Sequence, residues 1–185
     1  MPRLFTAITL PDNIITTLQQ VQPGVRPGLR VIAPEQIHLT LHFLGEFDLA
    51  QATLALSTVK WPAFELMISS LGSFQGHRDT ILWAGLAPST ALTDLHQTMC
   101  KHLVEVGYQP EQRPYHPHIT LARCDARVPA VVVEEFVSQA WEPVTLRVQE
   151  VVLFRSQLKP TGPVYVKELV LSGDSTVRQQ PVPDN

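Results

Sequence analysis

A tetrapeptide made of histidine, an apolar residue, threonine and leucine occurs twice in this chain of 185 residues. The copies are His38–Leu41 and His118–Leu121, and equivalent residues lie 80 positions apart. Alternate side chains of a β-strand share a face, so each copy predicts a strand with histidine and threonine on one face and two apolar residues on the other. This repeat constrains the fold, because the rest of the chain has to provide comparable settings for two comparable strands.

The order of the predicted elements around the two copies supports such a repeat. Strands are predicted at Leu4–Leu10, Leu29–Ile32, Ile37–Leu44, Phe64–Leu71, Thr80–Leu86, His118–Arg123, Val144–Phe154 and Val164–Leu171, and helices at 11–21, Asp48–Val59, Thr93–Val106 and Pro129–Ala140. In this order Leu4–Leu10 matches Thr80–Leu86, and Phe64–Leu71 matches Val144–Phe154, at an offset near 80 positions. We therefore expect two similar lobes of a few strands with helices packed outside. Strands and helices alternate in many chains, however, and two units do not prove a repeat.

Composition places the chain among ordinary folded proteins. It is 44% hydrophobic and 17% charged, which is too apolar for a disordered chain and sufficient for a core of usual size. The formal net charge of −3 argues against a protein that coats long duplex nucleic acid, because such binding needs a broad positive surface. It leaves room for a local basic groove. No apolar run is long enough to span a bilayer, so no membrane partner is expected.

We expect one domain over residues 1–171 and a flexible tail over residues 172–185, since the tail has turn formers but few apolar residues. The first residues predict a strand rather than a signal peptide, because no small-residue cleavage site follows them. Cys100 and Cys124 have no metal-ligand spacing and are too few for a disulfide framework, so a cytoplasmic location is expected.

The side chains of the two tetrapeptides suit the hydrolysis of a phosphodiester. A neutral imidazole can take a proton from water while a protonated imidazole donates one to the leaving oxygen, and each such step is typically worth about 10² to 10⁴-fold in rate. The hydroxyls of Thr40 and Thr120 can donate hydrogen bonds to the non-bridging phosphate oxygens. Strands often carry one solvent-facing His-x-Thr, so the hypothesis depends on there being two.

Further segments flank the tetrapeptides in a recognisable arrangement. They are Arg3–Ile8, Phe43–Glu46, Arg113–Arg123, Phe154–Ser156 and Tyr165. Together with the paired His-x-Thr-x motifs, these segments resemble the 2H phosphoesterase superfamily, and in particular its RNA 2′,3′-cyclic phosphodiesterase branch, also called 2′-5′ RNA ligase. The resemblance covers about residues 3–171 and leaves the tail outside.

The resemblance implies an α+β fold of two pseudo-symmetric lobes, each with a small, mostly antiparallel sheet and outer helices, around a central cleft. It implies no metal and no other cofactor. The implied reaction is hydrolysis of an RNA 2′,3′-cyclic phosphate to a 2′-phosphomonoester, and the same site can run a reversible 2′-5′ ligation. RNA ends or short oligonucleotides are the implied partners, and we expect a monomer.

The resemblance also implies roles for the four repeated polar residues. His38 is the acid that protonates the departing 3′-oxygen, and His118 is the base that activates water, although these two roles could be exchanged. Thr40 and Thr120 hold the phosphate.

Three more residues match positions that flank the nucleotide in the family, namely Phe5, Phe43 and Arg123. Aromatic and guanidinium planes suit base stacking, so these residue types fit that role, although the two phenylalanines could equally be core residues. Regular alternation along the second strand, however, would turn Arg123 away from the cleft. The same alternation would place His42 on the face of Thr40, at the rim of the site.

Two other interpretations stay open. His38, His42, His116 and His118 could gather as metal ligands, since imidazole is a common ligand, although no carboxylate or cysteine has a matching spacing. A chain of the same fold could also bind RNA or a nucleotide without catalysis, and tight binding without turnover would indicate that.

Overall fold

The computed structural model describes residues 1–76, 79–160 and 162–174. Its strands are β1 (Arg3–Thr9), β2 (Leu29–Val31), β3 (His38–Glu46), β4 (Phe64–Gln75), β5 (Asp79–Leu86), β6 (His118–Asp125), β7 (Val144–Val148), β8 (Glu150–Lys159) and β9 (Gly162–Ser172). Its α-helices are α1 (Asp12–Val21), α2 (Leu49–Ser57), α3 (Thr90–Glu105) and α4 (Ala130–Ser138), and a 3₁₀ turn covers Pro34–Gln36. Every predicted helix and strand has a counterpart among these elements.

Local signals mark the ends of two helices. The side chain of Asp48 accepts a hydrogen bond from the backbone N–H of Gln51 at 2.9 Å, which confirms the predicted start of α2. Gly107, with φ of +95°, follows the end of α3 as predicted. Helix α3 begins three residues earlier than expected, because Ser89 accepts a hydrogen bond from the N–H of Leu92 at 3.2 Å and caps it there.

The strands form one antiparallel sheet in the order β7-β4-β5-β6-β3-β1-β8-β9, with β2 beside β6. Strands β3 and β6 meet through one pair of residues, Leu39 and Ile119, which we call the junction pair. It divides the sheet into a His38 lobe (β3, β1, β8 and β9) and a His118 lobe (β6, β2, β5, β4 and β7). The predicted α+β fold with antiparallel strands is confirmed, and the two small sheets are continuous at the junction pair.

The two halves of the sequence exchange a strand. Strand β4 follows the first tetrapeptide but pairs with β5 in the His118 lobe, and β8 follows the second but pairs with β1 in the His38 lobe. Only a few residues separate β4 from β5 along the chain, and a connection this short favours a hairpin between consecutive strands. Val144–Phe154, predicted as one strand, is therefore two, because β7 pairs with β4 and β8 with β1.

Two hydrophobic clusters lie on the two faces of the His38 lobe. The large core joins the junction pair to the buried sides of all four helices. A smaller aromatic cluster lies on the other face of β1 and β8 and consists of Phe5, Ala7, Val152 and Phe154, with Tyr165 packed against it. Strand β1 is thus buried on both faces, and its cleft side is aromatic.

The chain beyond β9 is described only as far as residue 174. Ser172 ends β9, and Asp174 donates its N–H to the carbonyl of Trp61 at 2.9 Å and accepts from the N–H of Ala63 at 3.1 Å. The rest of the predicted flexible tail, residues 175–185, lies outside the described residues. Over the described ranges, no helix has the length and apolar character needed to cross a membrane.

Candidate active site

The junction pair brings the two tetrapeptides together. Its two side chains are fully buried in the core, so the residues on either side of them face the opposite surface of the sheet. The antiparallel register puts His38 beside Thr120 and Thr40 beside His118. Diagonal neighbours in such a pair lie about 7–8 Å apart, so the two histidines flank a space wide enough for a phosphate group.

Each of these histidines is held by the carbonyl group two residues before it. Nδ1 of His38 lies 2.6 Å from the carbonyl oxygen of Gln36, and Nδ1 of His118 lies 2.8 Å from that of His116. A carbonyl oxygen only accepts hydrogen bonds, so Nδ1 carries the hydrogen in both rings. Nε2 is then the nitrogen of each ring that is left to exchange a proton.

Burial favours the neutral form of both rings. It lowers the pKa of His38 below the ordinary value of 6.5, the hydrogen bond to Gln36 opposes this shift, and the charge of His118 adds to it. Burial also lowers the pKa of His118, where the charges of His116 and Arg123 act in the same direction and the bond to the His116 carbonyl opposes them. An anionic phosphate between the rings would favour the charged form, so one neutral and one protonated imidazole can coexist once an anion is bound.

Aromatic side chains fix the planes of both imidazoles. The ring centroid of His38 lies 5.2 Å from that of Phe5 and 5.4 Å from that of Tyr165, which meets it edge-on. The ring of His118 lies edge-on to Phe74, with 4.9 Å between the centroids. Each histidine therefore has a hydrogen bond and an aromatic contact that limit its rotation.

Both tetrapeptides end in a β-bulge at their leucine. The pairing of β3 with β1 skips Leu41, and the pairing of β6 with β5 skips Leu121. A bulge shifts the alternation of side chains by one residue. As a result Phe43 and Arg123, which are equivalent in the repeat, both line the cleft, although regular alternation would turn Arg123 away.

The same bulge turns His42 to the inner face of the sheet, so the expectation that it shares the face of Thr40 is wrong. His42 is 3% exposed, and its ring stacks on that of His96 in α3 with 4.1 Å between centroids. Its separation from the cleft means that the four histidines considered as metal ligands do not converge. The described part of the chain contains no group of three or more His, Cys, Asp or Glu residues that could hold a metal ion.

The cleft holds a cavity of about 510 Å³ on the side of His38. Five of the residues proposed from the sequence line it, namely Phe5, His38, Phe43, Thr120 and Arg123. Thr40 and His118 lie at the junction and are not among its lining residues. The two phenylalanines differ in exposure, because Phe5 is 4% exposed and contacts the His38 ring, whereas Phe43 is 62% exposed and lines the cavity.

The cavity also contains residues to which sequence reasoning assigned no role. Arg3, Arg30, Ser156 and Tyr165 are among its lining residues. Arg30 lies on β2, and the sequence predicts that short edge strand without indicating which strand it pairs with. Tyr165 is part of the family resemblance, and its place on β9 opposite β8 sets it against the His38 ring.

Comparison with known proteins finds relatives over most of this chain. A family model described as the 2′-5′ RNA ligase superfamily matches residues 10–160. A Thermus thermophilus protein named RNA 2′,3′-cyclic phosphodiesterase is 32% identical, over 88% of this chain and 86% of its own. A protein of the same name from Methanothermobacter thermautotrophicus is 28% identical, over 88% of this chain and 94% of its own.

A solved structure gives the same result. The crystal structure of Escherichia coli LigT complexed with 3′-AMP matches with a TM-score of 0.75 and 25% identity, over 92% of this chain and 97% of that chain. The family model spans more than half of the sequence, and the fold matches that of the solved structure. The chain therefore belongs to the 2′-5′ RNA ligase superfamily.

Proposed function

We propose that this protein hydrolyses RNA 2′,3′-cyclic phosphate ends to 2′-phosphomonoesters without a metal ion, using His38 and His118 as an acid–base pair. The observation that carries the proposal is the reciprocal placement of two imidazoles about the junction pair, each held through Nδ1 by a backbone carbonyl. The printed names of the relatives, RNA 2′,3′-cyclic phosphodiesterase, support the same reaction class.

The proposed reaction needs one proton transfer at each histidine. Nε2 of neutral His118 takes a proton from water as the water oxygen bonds to phosphorus. The bond from phosphorus to the 3′-oxygen breaks, and Nε2–H of protonated His38 gives its proton to that oxygen. The products are a 3′-hydroxyl and a 2′-phosphate, and one more proton exchange with water restores both rings.

The threonines and two cleft residues complete the proposed site. Thr40 and Thr120 donate hydrogen bonds to the non-bridging phosphate oxygens, whose negative charge grows in the transition state. Phe43 and Arg123 flank the nucleotide, and the exposed ring of Phe43 offers a base a stacking surface. Phe5 contacts the ring of His38 and so helps to hold that imidazole in position.

The same groups support ligation in the proposed site. If the 5′-hydroxyl of a second RNA takes the place of water, His118 accepts the hydroxyl proton and His38 again protonates the 3′-oxygen. The product is a 2′-5′ phosphodiester, and the reverse reaction uses the two histidines in exchanged roles.

We also propose that the protein acts as a monomer in the cytoplasm. One chain supplies both tetrapeptides, so the site is complete without a second copy, and the thiols of Cys100 and Cys124 are free. Light scattering of the active protein measures the oligomeric state directly.

The test is incubation of the purified protein with 2′,3′-cyclic mononucleotides in the presence of a chelator, followed by identification of the phosphate position in the product. We expect a 2′-phosphate and a bell-shaped dependence of kcat/KM on pH. A 3′-phosphate would contradict the proposed cleavage of the 3′-oxygen bond, and loss of activity on chelation would contradict metal independence. Tight nucleotide binding without turnover would indicate a non-catalytic binding module instead.

A further inference from the structure

Positive charge is concentrated in the cavity although the whole chain has a formal net charge of −3. Arg3, Arg30 and Arg123 line it, against the single carboxylate of Asp79. The proposed hydrolysis uses only Arg123 of these three arginines. A cleft lined by one sign of charge attracts ligands of the opposite sign.

Arg30 lies directly opposite Arg123 in the pairing of β2 with β6. Like charges opposite each other on neighbouring strands are destabilising unless an opposite charge lies near them. Asp79 partly compensates this repulsion, because one of its carboxylate oxygens lies 3.2 Å from a guanidinium nitrogen of Arg123. No described carboxylate forms an ion pair with Arg30. Arg30 and Arg123 form one wall of the cavity, and the guanidinium of Arg30 is the charge of this wall that no carboxylate in the described part of the chain compensates.

Tyr165 lines the same cavity as Arg30 and Arg123. Burial raises the pKa of Tyr165, and the positive charges of Arg123 and Arg30 act against that shift. The ring of Tyr165 also lies edge-on to that of His38 at 5.4 Å between centroids. The cavity that contains the uncompensated charge of Arg30 is thus also lined by His38, the residue proposed to protonate the leaving group.

We propose that Arg30 and the hydroxyl of Tyr165 form a second anion subsite, which binds the phosphodiester on the 5′ side of the terminal nucleotide. A guanidinium binds two phosphate oxygens at once, and a phenol donates one further hydrogen bond. The subsite rests on the proposed function and refines its substrate. It makes an oligonucleotide end a better substrate than a 2′,3′-cyclic mononucleotide.

The test compares three substrates with the same cyclic end. They are a 2′,3′-cyclic mononucleotide, a dinucleotide with a normal phosphodiester, and a dinucleotide with a neutral methylphosphonate linkage. We expect kcat/KM to be at least about tenfold higher for the normal dinucleotide than for the other two, since hydrogen bonds to a charged group have this strength. Equal values for the two dinucleotides would overturn the subsite, because the second base would then account for any preference.

Arg30→Ala is expected to remove most of the advantage of the normal dinucleotide, and Arg30→Lys to restore part of it. Arg26→Ala is the matched control, because it removes the same charge from an exposed residue four positions earlier in the chain and outside the cavity lining. If both alanine variants lower the preference equally, long-range charge accounts for it and the subsite is wrong. If the wild-type protein hydrolyses none of the three substrates, the proposed function fails, whereas equal hydrolysis of all three overturns the subsite alone.

Discussion

The two tetrapeptide strands are alike on the face that meets the cleft. In both, the histidine begins the strand and bonds through Nδ1 to the carbonyl two residues earlier. In both, a bulge at the leucine turns the residue two positions further, Phe43 or Arg123, toward the cleft. The likeness of the two strands therefore extends from their side chains to their backbone geometry.

The two strands differ behind that face. After the bulge β3 places His42 in the interior, where His96 and then Tyr115 continue the stack at centroid distances of 4.1 and 3.9 Å. At the equivalent place β6 has the small Ala122, and the side chain of Gln22 donates a hydrogen bond to the carbonyl of the bulged leucine before it at 2.9 Å. The comparison teaches that the cleft face is repeated closely, while each lobe supports it with its own interior.

The largest effect on the rate is expected from replacing each of the two cleft histidines, and a modified substrate then separates their roles. His38→Ala and His118→Ala should each lower kcat for cyclic phosphate hydrolysis by about 10² to 10⁴-fold. A substrate with sulfur in place of the 3′ bridging oxygen distinguishes them, because a thiolate leaves without a proton. It should restore much of the rate to the His38 variant and little to the His118 variant.

The control for these variants is His102→Ala, which removes a histidine of α3 that bonds to Thr58 and lies outside both tetrapeptides and the cavity lining. Circular dichroism should show that all three variants keep the fold. Rescue of the His118 variant instead of the His38 variant would exchange the two roles, and near-wild-type rates in either would refute the acid–base pair.

The next effect concerns the two residues that the bulges turn into the cleft. Stacking of a base on an aromatic side chain is worth about 1–3 kcal/mol, so Phe43→Ala should raise KM by about 5 to 150-fold with a smaller change in kcat. Arg123→Ala should raise KM less, because Asp79 already binds part of its guanidinium. Steady-state kinetics with one cyclic mononucleotide measures both changes, and a drop in kcat at constant KM would place Phe43 in the chemical step instead.

Sequence reasoning predicted what depends on local pattern. Alternation placed His38 and Thr40 on one face, and Asp48 marked the start of α2. It could not predict what a neighbouring strand decides. A bulge exists only relative to a partner, so the inward turn of His42 and the outward turn of Arg123 were not readable from either strand alone.

The exchange of strands between the lobes and the position of Arg30 in the cavity could not be predicted from the sequence for the same reason. Two matched halves predict two matched lobes, but the short link between β4 and β5 makes a hairpin that carries β4 into the other lobe. Arg30 acquires its place only through the pairing of β2 with β6, which are separated by almost 90 residues in the chain. No pattern in three residues of an edge strand encodes that contact.

The buried imidazole of His42 in the His38 lobe should make the free energy of unfolding depend on pH. Burial lowers the pKa of His42 to about 3, and the charge of His96 acts in the same direction. The unfolded chain binds this proton near pH 6.5 and the folded chain does not, so stability falls as the pH falls below about 6.5. His42 should contribute about 1 kcal/mol of this loss between pH 7 and pH 5.5.

Urea unfolding at these two pH values measures that loss. His42→Ala, which introduces the residue found at the equivalent place in β6, should reduce this loss. A residual dependence is expected, because burial also lowers the pKa of His96 on α3 and of the two cleft histidines, His38 and His118. A loss of equal size in wild-type protein and in the His42 variant would contradict the assignment.

The smallest effect on kcat is expected from removing a hydrogen bond that joins the segment before the second tetrapeptide to the first tetrapeptide. Tyr115 precedes His118 by three residues and donates a hydrogen bond from its hydroxyl to the carbonyl of Thr40 at 2.9 Å. Tyr115→Phe keeps the ring that stacks on His96 and removes only this bond, so a loss of about 1 kcal/mol in stability is expected. If the bond also holds Thr40 in register with His118, kcat should fall about threefold at nearly constant KM. Tyr108→Phe is the control, because it makes the same change on a tyrosine whose ring lies edge-on to that of His42. An equal fall in kcat in that variant would show that the reaction does not depend on the hydrogen bond from Tyr115 to Thr40.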